Sequence, residues 1–232
     1  SRIPVLGHAD GLCSVYIDES ADEEKAVAVV VDSKTNYPAA CNSTETLLIH
    51  ASSLPLLPAI ARGLLAKGVT LRGDPRALSA LAPHFSANPR IQSAEPADFD
   101  TEFLDLTIAV RVVESFDEAV AHVNAHGSHH TEAIVTENEA RAEEYMRRVD
   151  AAGVYWNAST RFADGFRYGF GAEIGVSTNK THARGPVGLE GLVIYKYRLY
   201  GKGQTAGSYG EGKKKYLHEP IPLESIGKRF AQ

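Results

Sequence analysis

A chain of 232 residues, 44% hydrophobic and 23% charged, holds one large domain or one and a half, and its ordinary globular usage excludes disordered, collagen-like and coiled-coil classes. Lysine and arginine number 24 against 29 aspartates and glutamates, a net charge of −5 with no basic run to track a phosphate backbone, which argues against nucleic acid as a partner. No apolar run approaches the roughly 20 residues that a bilayer crossing demands, residues 1–4 have neither signal nor transit character, and two cysteines make no disulfide framework, so no membrane and a reducing, cytoplasmic setting are expected.

In chain order, Ser1 opens without a methionine and leads almost at once into an apolar stretch, as a chain cut between domains does. Residues 12–17 read as a strand. Asp22-Glu23-Glu24 starts a helix whose acidic first turn suits the macrodipole, with Ala26, Val27, Val30 and Val31 on one face, and the helix must stop before Pro38. Residues 45–50 read as a strand, 54–67 as an amphipathic helix closed by Gly68, 69–71 as a strand and 75–83 as a helix begun by proline. Strands 106–113, 132–136 and 154–157 alternate with helices 116–126 and 138–151. Continuous apolar strands between helices predict a three-layer α/β sandwich with a mainly parallel sheet. Residues 161–188 change to glycine, aromatic and arginine without period, and loops of that length are usually functional. Residues 192–200 then alternate as a half-buried strand with no partner in the chain, followed by a glycine, lysine and tyrosine tail.

Cys41 lies in the connection 37–42, at a turn where backbone amides can face a developing oxyanion and a thiolate would be a strong nucleophile. A buried structural thiol is the commoner role for an isolated cysteine, and Cys13, inside an apolar strand, fits it. His126, His129 and His130 are close in sequence but poorly spaced for a metal, with no HExxH or CxxC pattern, so no metal is expected. A Cys-His hydrolase finds no partner histidine or orienting acid in the spacing, and neither GxGxxG nor GxxxxGK[ST] occurs.

Four stretches carry a resemblance. Residues 3–11 (Ile-Pro-Val-Leu-Gly-His-Ala-Asp-Gly), 32–42 (Asp-Ser-Lys-Thr-Asn-Tyr-Pro-Ala-Ala-Cys-Asn), 156–162 (Trp-Asn-Ala-Ser-Thr-Arg-Phe) and 171–186, with Gly171 to Thr178 and His182 to Pro186, resemble the gamma-glutamyl phosphate reductase family of the aldehyde dehydrogenase superfamily. The tail Lys215-Tyr216-Leu217-His218-Glu219 resembles eukaryotic members, including bifunctional synthases in which a glutamate kinase precedes the reductase.

The resemblance implies an aldehyde-dehydrogenase-like catalytic domain over 1–190, an oligomerisation strand and tail over 191–232, and an amino-terminal NADPH-binding half outside this chain. It makes Cys41 the nucleophile, L-glutamyl 5-phosphate the substrate, NADPH the hydride donor, and glutamate 5-semialdehyde with free phosphate the products. It places Asn157, Arg161, Arg184 and His8 toward the substrate and Glu102 toward the nicotinamide ribose. It also implies a homo-oligomer, coupling to glutamate 5-kinase, and a mitochondrial setting if the parent is a bifunctional eukaryotic synthase. Ordinary aldehyde dehydrogenases carry a glutamate that activates the hydrolytic water; Leu6-Gly7-His8-Ala9-Asp10 has none, which fits a reductase whose thioester must not be hydrolysed. Three other readings stand beside this one: another acylating aldehyde dehydrogenase, an assembly module silent alone, and a cysteine hydrolase that needs no nicotinamide.

Overall fold

The computed structural model describes residue 3 and residues 5–216, so Pro4 of the first family motif and Leu217-His218-Glu219 of the tail lie outside the described residues. The chain divides into two compact units, 1–193 and 194–232.

In the first unit β1 (Cys13–Ile17), α1 (Glu23–Thr35), β2 (Thr44–His50), α2 (Leu57–Ala66), β3 (Thr70–Gly73), α3 (Pro75–Leu81), β4 (Ile91–Ser93), β5 (Thr107–Val113), α4 (Phe116–His126), β6 (Thr131–Val135), α5 (Glu139–Arg148) and β7 (Gly153–Trp156) alternate along the chain. The seven strands form one sheet in the order β4-β3-β5-β2-β1-β6-β7, with every neighbouring pair parallel. The expected α/β sandwich is therefore present. Successive strand residues point to opposite faces. Val15, Ile17, Leu47, Ile49 and Val110 meet α1, α2 and α3 on one side, while Tyr16, Leu48 and Ile134 meet α4 and α5 on the other. Full burial of each such side chain contributes about 1.5–3 kcal/mol.

Departures from the expected elements have local causes. The helix expected from 54 starts as a 3₁₀ turn, Ala51–Leu56, because Pro55 supplies no amide and Pro58 sits in the first turn of α2. β4 and the antiparallel pair β8 (Gly175–Ser177) and β9 (Gly185–Val187) are three residues each, too short to display a period. The strand expected over 192–200 is not formed: residues 193–200 have no regular structure in the single chain, since a strand exists only where a ladder partner accepts its hydrogen bonds.

Helix starts are fixed by Asp22, Asp74, Ser115 and Asn138, whose side chains accept from amides three residues on. Asp74 has a second duty. Its Oδ1 accepts from Ala77 N at 2.8 Å and its Oδ2 from Val112 N at 2.8 Å, so one carboxylate joins α3 to β5. Asp74→Ala is expected to lower stability by about 2–3 kcal/mol, against about 1 kcal/mol for the single-duty cap Asp22→Ala. Denaturant midpoints of the two variants in the full natural polypeptide check this; equal shifts would contradict the tie to β5.

Candidate active site

The loop that carries Cys41 is closed at its base by charge. Lys34, in the last turn of α1, and Glu45, at the start of β2, meet at 2.6 Å with both side chains withdrawn from solvent. Burial pushes the Lys34 ammonium below its usual range and the Glu45 carboxyl up to about 7, each opposed by the other's charge. The Lys34 ammonium also lies over the Phe103 ring at 6.0 Å. Between the two charges the backbone turns with Tyr37 at φ 68°, Ser43 Oγ donates to the carbonyls of Ser33 and Lys34 at 3.4 Å, and Thr160 Oγ1 donates to Asn42 O at 2.6 Å. Asn42 Nδ2 donates to Ala163 O at 2.8 Å, so the segment after β7 clamps the loop from outside.

Gly11 sets the inner limit. A Cβ there would collide with the carbonyl oxygen and the Cα of Cys41, the latter at 2.5 Å, so only glycine permits this approach. The Cys13 thiol donates to Cys41 O at 3.3 Å. Cys13 is buried, its thiol pushed well up by burial and then by Glu132, which leaves it inert. Cys41 is half-buried. Burial raises its thiol first, and the carboxylates of Glu102 and Glu173 raise it further, while Arg161 opposes them.

Cys41 is thus ringed by residues far apart in sequence. One ring nitrogen each of His8 and His130 and the Cys41 Sγ all lie within 4.8 Å of one another, and the two imidazoles meet edge to face at 5.1 Å. His8 Nδ1 is held by Val176 O at 3.1 Å, which ties the segment before β1 to β8. His130 Nδ1 is held by Thr131 Oγ1 at 2.9 Å; its Nε2 is buried without a partner among the described residues, and burial, then His8, push its pKa down to about 4. Glu102 is half-buried, with no hydrogen bond to its carboxylate among the described residues. Arg161 Nε donates to Asn36 O, and Arg161 lines a cavity of about 170 Å³ with Asp32, Asn36, Phe162 and Arg167.

Four of the six sequence-derived residues, Cys41, His8, Glu102 and Arg161, therefore converge. Asn157 and Arg184 are engaged elsewhere. Asn157, at φ 50°, uses Oδ1 to accept from Thr136 N at 3.0 Å and Nδ2 to donate to Thr136 O at 3.0 Å. It follows Trp156, which pairs with Ile134, so it is level with Val135 and sits roughly 16 Å along the strands from His130 at ~3.3 Å per residue. Arg184 donates from Nη2 to Asp150 Oδ1 at 3.0 Å and from Nε to Thr178 O at 3.3 Å. Lys180 and Arg184 together hold the Asp150 carboxyl below the usual range. Gly169 and Gly171 have φ of 81° with open space around them, so conformation rather than close approach explains them. Sequence reasoning missed Gly11, although it lies in a quoted motif, and set His130 aside with His126 and His129. His126 bonds Asp100 at 2.7 Å and His129 bonds Asp150 O at 2.5 Å, away from the cluster that His130 joins. Among the described residues no helix is long and apolar enough to cross a membrane.

No protein-family model matches the chain. A probable gamma-glutamyl phosphate reductase of Schizosaccharomyces pombe is 53% identical over 229 residues, 97% of this chain and 51% of that protein. A crystal structure of gamma-glutamyl phosphate reductase from Thermotoga maritima superposes with a TM-score of 0.81 at 43% identity, over 88% of this chain and 48% of that one. An acetylating aldehyde dehydrogenase from Geobacillus thermoglucosidasius superposes with a TM-score of 0.57 at 22% identity, over 86% and 53%, and shares the fold. The chain spans about half the length of the curated relatives it matches.

The charges around Cys41 make a signed expectation. Glu102→Gln removes a negative charge beside the thiolate, so the pH at which alkylation by iodoacetamide reaches half its maximal rate moves down; Arg161→Gln moves it up. Profiles unchanged in both variants would contradict this arrangement.

Proposed function

We propose that this chain, which belongs with the gamma-glutamyl phosphate reductases over the half of their length that it spans, carries the nucleophile of an acyl-phosphate reduction. The observation that carries this reading is the Cys41 thiol, half-buried and fixed by Gly11, at the meeting point of His8, His130, Glu102 and Arg161. As thiolate, Cys41 attacks the acyl carbon of L-glutamyl 5-phosphate. The C–O bond to phosphate breaks, phosphate leaves with the electron pair, and a thioester remains on Cys41. NADPH, when bound, supplies the hydride that reduces this carbon. Collapse of the thiohemiacetal then returns the thiolate and releases glutamate 5-semialdehyde.

A nicotinamide fits beside Cys41 on one observation: the half-buried Glu102 carboxylate, without a protein hydrogen bond among the described residues, is available to a ribose hydroxyl. The remainder of the cofactor site belongs, in this reading, to a half that this chain does not contain. Arg161 and Arg167, which line the same cavity, offer two guanidinium groups to the anionic end of the substrate. A kinase that phosphorylates the glutamate side chain must supply this substrate, and the setting in this reading is the cytoplasm.

Cys41→Ser in the full natural polypeptide is expected to reduce NADPH-dependent turnover by several orders of magnitude, since a neutral hydroxyl is a far weaker nucleophile, while Cys13→Ser retains most of it. Near-normal turnover in the Cys41 variant would remove the assignment. Turnover that proceeds as hydrolysis without nicotinamide would favour the hydrolase reading instead.

An assembly role for the carboxy-terminal segment has its own support. Ile194, Tyr195, Tyr197 and Leu199 are 84–99% exposed, a density of apolar side chains that water does not favour, and the segment has no ladder of its own. We place it as a strand added to a second copy of the chain. Deletion from residue 191 onward should lower the mass found by light scattering while the far-ultraviolet circular dichroism of the α/β core persists. An unchanged multiple of the subunit mass would rule this role out.

A further inference from the structure

Cys41 and the two imidazoles beside it also have the composition of a soft-metal site: one thiol and two imidazoles, with Sγ and one nitrogen of each ring within 4.8 Å of one another. We propose that His8, Cys41 and His130 form a three-protein-ligand site for Zn²⁺ or a similar divalent cation, whose occupancy withdraws the Cys41 sulfur from reaction. This inference rests on the geometry of the three side chains and stands independently of the reductase reading.

A thiolate with two imidazoles selects zinc-like ions over magnesium or calcium, which prefer oxygen. Tetrahedral zinc has Zn–S near 2.3 Å and Zn–N near 2.0–2.1 Å, so its donors stand about 3.3–3.6 Å apart and the cluster needs to close by about 1 Å. His8 provides that movement, being exposed on the segment before β1. Both histidines have Nδ1 engaged by an oxygen, Val176 O for His8 and Thr131 Oγ1 for His130, leaving Nε2 in each as the ligand atom. Outer oxygens that fix the ring and tautomer of a ligating histidine are the usual support of metal sites. His130 adds the strongest single observation. It is 1% exposed, its Nε2 has no partner among the described residues, and a buried nitrogen left without a bond is costly unless something fills the place. Cys41 binds as thiolate and releases its proton to solvent. Three protein ligands leave the fourth position of a tetrahedral ion to water.

The test is a Co²⁺ titration of the full natural polypeptide, reduced and stripped of metal, followed by absorption. One equivalent is expected to give thiolate-to-cobalt charge transfer together with the visible bands of four-coordinate cobalt, and Zn²⁺ is expected to displace it. Cys41→Ser removes the charge transfer, and Cys13→Ser and His126→Asn leave it unchanged. His8→Asn and His130→Asn each weaken binding roughly tenfold or more. Zinc at saturation blocks alkylation of Cys41 by iodoacetamide. The site is overturned if no band appears at saturating metal, if charge transfer survives Cys41→Ser, or if neither histidine substitution changes the affinity. Should His130→Asn fail to fold by circular dichroism, the exposed His8 decides the matter alone. A Cys41 that alkylates freely without metal and equally with it removes the metal site and leaves the nucleophile in place.

Discussion

Two opposite charges taken out of water at the base of one loop govern how the rest of this molecule is arranged. Lys34 and Glu45 are 11 positions apart and meet at 2.6 Å, so the segment between them is a closed ring whose neck is an ion pair. Such pairs gain little net stability over an apolar substitute, but removing one partner strands a buried charge at a cost of about 3–5 kcal/mol. The pair therefore acts on specificity: one closed path for residues 35–44 is retained and open ones are penalised. Because Glu45 belongs to β2, in the middle of the sheet, the ring is referenced to the most rigid part of the fold.

Parallel pairing does the rest. β2, β1 and β6 are neighbours in the sheet, and the residues just ahead of them are Cys41, Gly11 and His130. The register sets Cys13 beside Thr44 and Ser14 beside Glu132, so three entry segments from distant parts of the sequence reach one level at one edge. Leu12 and Ser128 exchange hydrogen bonds and keep two of those segments together. Ligands of open α/β sheets generally sit at the carboxyl ends of the strands; here Cys41 sits at the amino ends. Glu102, which precedes β5, also lies close to Cys41 at that edge.

The regular elements were legible in the sequence because buried parallel strands are continuous apolar runs and the helices between them carry acidic, proline or glycine punctuation at their ends. Cys41 was legible only through its motif, since a lone cysteine in a turn has no local signal of reactivity. The partners of Cys41 were not legible in spacing at all. His130 stands 89 positions after Cys41, and its place depends on which strands pair, a property of the whole sheet rather than of any window. Asn157 and Arg184 differ in the opposite sense: polar residues in a loop near the site read as ligand groups, and in this structure the Thr136 backbone and the Asp150 carboxylate engage them. The strand expected over 192–200 forms no ladder in the single chain because alternation describes a surface that would pair, not the presence of a partner.

Gly11 has a consequence for how this centre responds to its surroundings. It locates Cys41 by contact between backbone atoms, a repulsion that rises so steeply with distance that neither ionic strength nor acidity alters it. The proton on the same residue is governed by burial and by carboxylate and guanidinium charges, all of which respond to salt and to whatever binds nearby. Place and reactivity of the sulfur are thus controlled by forces of different range. An approaching anion or cation can tune the thiol continuously while its backbone stays where it was, so this centre can be adjusted chemically without being rebuilt mechanically.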